Sequence, residues 1–384
     1  MKLRSSTYRI LFLAVVLVAN AAASAAPASA GALTIHKSVL RGTDTVRSDG
    51  FGGEVAVSGN TAVVSATGAN GGLGAAYVFV RSRGRWTQQA KLTGSDSMAG
   101  DGFASAVAIS GTTVVVGAPL RDGYRGAVYV FVRSGATWTQ QQILTASDSD
   151  PNDDNFGQSV AVSGLTIVVG APYHGYPGNG DAYVFGSDGA GWTQQAEFHA
   201  STAGNVEFGT SVAVSGSTVA VGEPLVNAER GGPSGVVFVY TRSGGAWPLK
   251  QELDPPDAAT GFLGRSLALA GGTLVVGADL TGTEFDAPGA AYVYTRSSGT
   301  WLEQQELAAS DGADGAYFGY SVAVSRTMVV VGAGNAHAAY LFAHSQSSWV
   351  QRRRWTGSTG VSVAASGSTA VLSASNHALA FRIG

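Results

Sequence analysis

The stretch FGQSVAVSGLTIVVGAP, residues Phe156–Pro172, decides the fold of this chain. Val160 and Val162, then Ile167 and Val169, alternate with small or polar neighbours, the period of two that marks a strand. Ser163-Gly164-Leu165-Thr166 between them reads as a tight hairpin turn, because glycine accepts a positive φ. AYVF from Ala182 and WTQQAEF from Trp192 follow as two more strands. Val, Ile, Tyr and Phe suit a pleated surface. No helical period appears anywhere in the chain.

The same unit recurs. FGTSVAVSGSTVAVGEP starts at Phe208 and FGYSVAVSRTMVVVGAG at Phe318, with weaker copies from Phe51, Phe103 and Phe262. A last copy, from Gly360, has lost the Phe. Trp86, Trp138, Trp192, Trp247, Trp301 and Trp349 lead the fourth runs, at spacings of 52, 54, 55, 54 and 48 residues. Four short strands at such a period describe a propeller blade. The chain ends on HALAFRIG, a third strand with no fourth, whereas TIHKSVLRGTD from Thr34 resembles the fourth-strand run around Lys91. The N-terminal segment is therefore expected to supply the outer strand of the last blade and close the ring, which hides sheet edges. A linear solenoid is the alternative, but it would want atypical caps rather than complementary halves. The expected fold is all-β, a single seven-bladed β-propeller of four-stranded antiparallel blades over residues 31–384.

Residues 1–30 read as an address. Lys2, Arg4 and Arg9 precede an apolar run from Ile10 to Val18, and Ala28-Ser29-Ala30 forms an A-x-A cleavage site, with Ala23-Ser24-Ala25 as a second. This is the pattern of a secretory signal peptide, and its apolar run is too short to span a bilayer. The chain has 384 residues, of which 45% are hydrophobic, ample for a core. It has no Cys, which removes disulfides, thiol nucleophiles, zinc–thiolate sites and iron–sulfur clusters together. Without the leader, 20 basic residues face 26 acidic ones, a balance that suits neither nucleic acid nor anionic membranes. The expectation is an exported monomer, extracellular or periplasmic, with no transmembrane segment.

The tandem FG…GAP units resemble the FG-GAP repeats of integrin-α-like β-propellers, and more closely their bacterial secreted relatives. Phe156-Gly157 with Gly170-Ala171-Pro172 fits the motif fully, and Phe208-Gly209 with Gly222-Glu223-Pro224 departs at one position. The resemblance covers residues 33–384 and implies the propeller fold, not a ligand. Integrin-type blades often carry a calcium loop of the D-x-[DN]-x-D-G kind between their first two strands. Here that turn is Ser-Gly-X-Thr in most copies, so those calcium positions do not carry over and integrin-like adhesion is weakened with them.

Repetition separates scaffold from site. Phe51, Phe103, Phe156, Phe208, Phe262 and Phe318 recur and read as packing residues, as do the six Trp, between neighbouring blades. Ser159, Ser211, Ser321 and Ser362 sit in G-x-S-V-A, superficially like a nucleophile elbow, but the second Gly and the helix are missing. Asp44, Asp96, Asp148, Asp257 and Asp311 recur after fourth strands and read as turn-makers. One inter-blade loop is richer: Asp148, Asp150, Asn152 and Asp154 offer oxygen ligands at alternating spacing, as calcium wants, with a solvated acidic loop as the alternative. The six His are scattered without an H-E-x-x-H pair.

The loops between second and third strands differ from copy to copy, as binding loops on a rigid scaffold do. Arg121, Tyr124 and Arg125 lie in one; Tyr173, His174 and Tyr176, with Asn179 and Asp181, in the next; Arg230 in a third. Tyr beside Asp, Asn and His can stack and hydrogen-bond with a sugar or a protein surface. The expected function is a non-catalytic binding or adhesion scaffold that engages a protein or glycan through this face, with no resident cofactor beyond calcium. Two alternatives stand: a structural envelope or matrix protein, and a glycan lyase or hydrolase in the central funnel. Convergence of Asp or Glu from several blades at the funnel mouth would favour the enzyme.

Overall fold

In the computed structural model, hydrogen bonding sorts the strands into seven four-stranded antiparallel sheets and one two-stranded ribbon, Thr260–Gly261 with Leu280–Thr281. The structure describes residues 33–148, 154–175, 179–200, 204, 206–225, 234–254, 260–281, 288–312, 315–357 and 359–384. The ring occupies Thr34–Gly384. The leader, residues 1–30, lies outside the described residues.

The third blade shows how sequence becomes sheet. Its strands, from the axis outward, are Ser159–Ser163, Thr166–Ala171, Asp181–Ser187 and Trp192–His199. The first two form a hairpin with Ser163 opposite Thr166, and Gly164 turns the corner at φ 57°. The second strand is buried along its whole length, because a neighbouring blade covers each face. In the fourth blade Pro248 follows Trp247, and the outer strand shortens to Leu249–Leu253. Proline cannot donate to the ladder.

The ring closes as the sequence predicts. Ile35–Leu40 pairs antiparallel with His377–Ile383, from Ile35 opposite Ile383 to Leu40 opposite Ala378. The seventh blade also meets the first: Val55 N donates to Ser362 Oγ at 3.1 Å and Gly59 N to Ser366 Oγ at 3.0 Å. The second repeats the bonds between consecutive blades, such as Gly111 N to Ser58 Oγ and Gly216 N to Ser163 Oγ, both at 3.1 Å. A solenoid has no such return.

The two halves of the FG…GAP motif meet across blade boundaries. A Cβ added to Gly170 would overlap the carbonyl oxygen of Gly209 in the next blade, and Gly222 stands in the same relation to Gly264. The Phe before the second glycine fills the gap behind it. Phe156 is fully buried with its ring edge-on to Tyr183 at 5.4 Å, as Phe318 is to Tyr340 at 5.2 Å. Farther out, Trp192 Nε1 donates to Gln141 Oε1 at 3.1 Å and Trp138 Nε1 to Gln89 Oε1 at 2.9 Å, which ties neighbouring outer strands together.

Two readings need correction. Phe262 is not the packing residue of the fifth blade. Leu263 is fully buried there and bridges Gly235 as Phe156 bridges Gly126, while Phe262 takes φ 55°, the conformation of Asn155 and Glu207 one residue before the Phe. The fifth copy thus carries Leu in the aromatic position, and its register starts one residue later. Second, short helical turns do occur, at Ala69–Gly72 and Arg121–Tyr124, each with three residues of positive φ.

Gly170→Ala is expected to destabilise by about 2–3 kcal/mol, since the new methyl would overlap the Gly209 carbonyl and the Ser159 hydroxyl that bonds it. Leu40→Ala, in the closing strand, should cost about 3 kcal/mol from a fully packed site. Both are checked by denaturant unfolding, and deletion of residues 31–42 should lower the melting temperature far more than either.

Candidate functional site

The loops after each outer strand and those between second and third strands share one face of the ring. The opposite face carries the two-residue turns, such as Gly59-Asn60 and Gly164-Leu165. Across the seven blades these turns hold no carboxylate. Integrin-type calcium loops therefore do not fit them.

At the axis of the loop face lies a cavity of about 380 Å³ to which all seven blades contribute. Ser105, Gln158, Thr210, Arg265, Tyr320 and Val361 hold equivalent repeat positions around it. The next position is Ser in five blades, and its role is structural. Ser159 Oγ donates to Gly209 O at 2.8 Å, Ser211 Oγ to Gly264 O at 2.6 Å and Ser266 Oγ to Gly319 O at 2.8 Å. The first blade has Glu54 in that position instead. Burial pushes its carboxyl up to about 7, partly offset by Ser362. Across the ring, burial also raises Glu207 while Arg265 lowers it. The same two side chains act on Tyr173, whose hydroxyl burial pushes up. Tyr173, Glu207 and Arg265 thus form one electrostatic group at the funnel mouth, and Asp279 Oδ2 lies 3.9 Å from Arg265 Nε.

The sequence-predicted loop residues separate. Tyr173 lines the funnel and His174 turns away from it into a second cluster. Arg121 is held by Asp96 at 2.6 Å with its guanidinium over Tyr129, so it serves the scaffold. Tyr124 is exposed, and Arg125 pairs with Asp122 at 3.4 Å on the surface. Tyr176, Arg230, Asp150 and Asn152 lie outside the described residues.

The recurring Asp residues do more than make turns. Four of the five accept from the hydroxyl of a Tyr on the next blade's third strand, Asp44 from Tyr77, Asp96 from Tyr129, Asp148 from Tyr183 and Asp311 from Tyr340, at 2.8–3.1 Å, and Asp257 lies outside the described residues. Three of these latches carry a cation, Lys91 on Asp44 and Arg121 on Asp96 at 2.6 Å, and Arg354 on Asp311 at 2.8 Å. The third blade differs. Around Asp148 stand His174, Asp181 and Glu197, with one ligand atom from each of the four within 4.8 Å of the others. His174 Nε2 is 3.4 Å from Asp181 Oδ2 and 3.6 Å from Asp148 Oδ2. Fully buried Asp154 accepts from His174 Nδ1 at 2.9 Å, and Asp181 Oδ1 accepts from His199 Nδ1 at 3.1 Å. Burial lowers His174, but Asp181, Asp154 and Asp148 outweigh it and raise the imidazole. Burial pushes Asp181 up to about 6 despite both imidazoles, and Glu197 to about 7 with the help of its carboxyl contact to Asp148.

Sequence reasoning missed Glu54, Glu207, Arg265 and Glu197. Glu54 carried a visible signal, since FGGEVAVSG is the copy with an acid where the others have Ser or Ala. Glu197 shares its ladder position with Lys91 and Arg354 but also with Glu252 and Glu306, so it carries no signal until strand register brings it beside Asp148 and Asp181.

A family model for the FG-GAP repeat matches residues 37–79, 86–131, 138–185, 192–240 and 301–342, more than half of the chain. Each matched window begins near an outer strand and ends in the third strand of the following blade, so the first window treats the closing strand as an ordinary unit start. No curated protein matches the chain significantly. Among the described residues, no helix is long and apolar enough to cross a membrane.

The raised carboxyl of Glu54 sets a pH dependence. Its folded value, about 7, exceeds the ordinary glutamate value of 4.5, so its contribution to stability is complete below the unfolded value and is lost as pH rises through 7. Glu54→Gln should therefore be more stable than wild type at pH 8 by about 2 kcal/mol and equal to it at pH 4. Urea unfolding at both pH values checks this.

Proposed function

This chain belongs to the FG-GAP repeat family, and on that premise we propose that it is an exported, non-catalytic β-propeller scaffold that binds a protein or glycan ligand through its loop face. The observation that carries the reading is the axial cavity. Its rim varies from blade to blade, as Ser105, Gln158, Thr210, Arg265, Tyr320 and Val361, while the position beneath it repeats a structural Ser. Variation above a fixed frame is how a rigid scaffold presents a site. The chemistry of the rim is mixed. Tyr173 and Tyr320 offer aromatic faces, Gln158 and Thr210 offer hydrogen bonds, and Arg265 offers a fixed cation that can take a carboxylate in two-pronged fashion. Sugar acids and acidic side chains at a protein surface both answer that set. Export follows from the basic, apolar and A-x-A order of residues 1–30.

A second reading has one observation in its favour. Glu54 and Glu207, from two blades, both line the cavity, and one carboxyl is tuned near neutrality. Glycoside hydrolysis uses two carboxyls that face one sugar.

A glycan-array screen of residues 31–384, followed by protein pull-down, tests the binding reading. Tyr173→Ala and Arg265→Ala should each weaken ligand binding at least tenfold while leaving the melting temperature within a few degrees. Wild-type affinity in both variants would move the site off the funnel. Turnover of an array hit, abolished in Glu54→Gln, would replace binding with catalysis.

A further inference from the structure

We propose that Asp148, His174, Asp181 and Glu197 bind a divalent transition metal of the zinc type, which staples the second blade to the third where a protein cation does so elsewhere in the ring. In three latches the Asp that accepts from the Tyr hydroxyl is neutralised by Lys91, Arg121 or Arg354. In the third blade the residue opposite Tyr183 is Glu197, where Lys91 faces Tyr77 and Arg354 faces Tyr340. Asp181 adds a further carboxyl at a strand-start position that is Ala75, Ala127, Ala290 and Ala338 in other blades. No Lys or Arg stands on this latch; Glu197 has counterparts in Glu252 and Glu306 of the next two blades, and the acid peculiar to the third blade is Asp181, beside His174.

The spacing of the ligand atoms suits a shared ion. Zinc bonds to nitrogen and oxygen of about 2.0–2.2 Å, at tetrahedral angles, set neighbouring ligand atoms about 3.3–3.6 Å apart. His174 Nε2 lies 3.4 Å from Asp181 Oδ2 and 3.6 Å from Asp148 Oδ2. Those separations are long for charge-assisted hydrogen bonds. These two separations match the edges of such a tetrahedron, and all four ligand atoms lie within 4.8 Å of one another.

The surroundings complete the pattern. Metal-bound histidines commonly donate their other ring N–H to a carboxylate, which fixes the tautomer and turns the free nitrogen to the ion. Asp154, fully buried, takes that bond from His174 Nδ1 at 2.9 Å. Asp181, itself almost wholly buried, aims Oδ2 into the cluster while Oδ1 is held by His199. Tyr183 orients Asp148 at 3.1 Å. One imidazole among carboxylates favours zinc over calcium, which takes six to eight oxygens. The four ligands come from the loop after the second blade's outer strand and from three segments of the third blade, so the ion would join blades as Lys91 joins them through Asp44.

The rival is an imidazolium: protonated His174 could replace the Lys or Arg by itself. Titration of chelator-treated, tag-free protein with zinc chloride, followed by calorimetry and by melting temperature, separates the two. One zinc per chain with a rise in melting temperature is expected. His174→Ala should weaken zinc binding at least a hundredfold and Glu197→Gln about tenfold. Glu197→Lys, which restores the cation of the other latches, should abolish binding while melting no lower than the metal-free protein. Cobalt substitution gives a readout independent of stability, since visible bands of tetrahedral cobalt should appear in the wild type and vanish in Glu197→Lys. No zinc heat, zinc binding indifferent to these substitutions, or calcium binding that survives His174→Ala would each overturn the proposal.

Discussion

The close approach of backbones across each blade boundary is the constraint on which the ring rests. Gly170 against the Gly209 carbonyl, and Gly222 against that of Gly264, leave no room for a Cβ. That contact sets how near the inner edges of two blades can come. Ser159 and Ser211 then hydrogen-bond the same carbonyls from the side. Phe156 and Phe208 seal the space behind, each against an aromatic of its own blade's third strand. The FG…GAP motif is therefore one contact written in two places. The GAP glycine belongs to one blade and the FG glycine to the next, which explains why the two halves recur together.

Almost all of the fold was legible, because each repeated residue is a repeated contact. Seven copies average out the local ambiguity of any one, and the missing fourth strand at the C-terminus named its own replacement at Ile35–Leu40. Where copies drift, the reading slips: FLGRS in the fifth blade offered a Phe one residue too early, and only burial distinguishes Phe262 from Leu263. The candidate sites were far less legible. Tyr173 and His174 were found as loop residues, yet adjacent side chains diverge, one to the funnel and one to the blade edge. Glu197 is an outer-strand residue with no local peculiarity, and its meaning comes from Tyr183 across the ladder and Asp148 across the blade boundary. Contacts between consecutive blades span 29 residues at Asp311–Tyr340 and 53 at Ser211–Gly264, beyond any local spacing rule.

The recurring Tyr–Asp latch shows how a repeat protein makes a site without disturbing its scaffold. Hydroxyl and carboxylate stay in place in four blades, and the partners around them change. Lys91 and Arg354 arise from outer strands and Arg121 from a loop, yet all reach the same carboxylate position. The third blade spends that tolerance on acids and an imidazole. Likewise the rim of the axial cavity varies freely because the Ser beneath it, not the rim, holds neighbouring blades together.

The pairing of Ile35–Leu40 with His377–Ile383 has a temporal side. During synthesis the strand that emerges first must wait for the one that emerges last. Each intermediate blade can form its hairpins and dock on its predecessor in turn. The seventh sheet alone joins the two ends of the ring, so it carries the largest loop-closure cost in the molecule. Until the final residues are available, the nascent ring stays an open arc with its first and last faces bare. A chain handed through a translocation channel from its N-terminus would emerge in that threadable form, and it would lock only after its tail has passed.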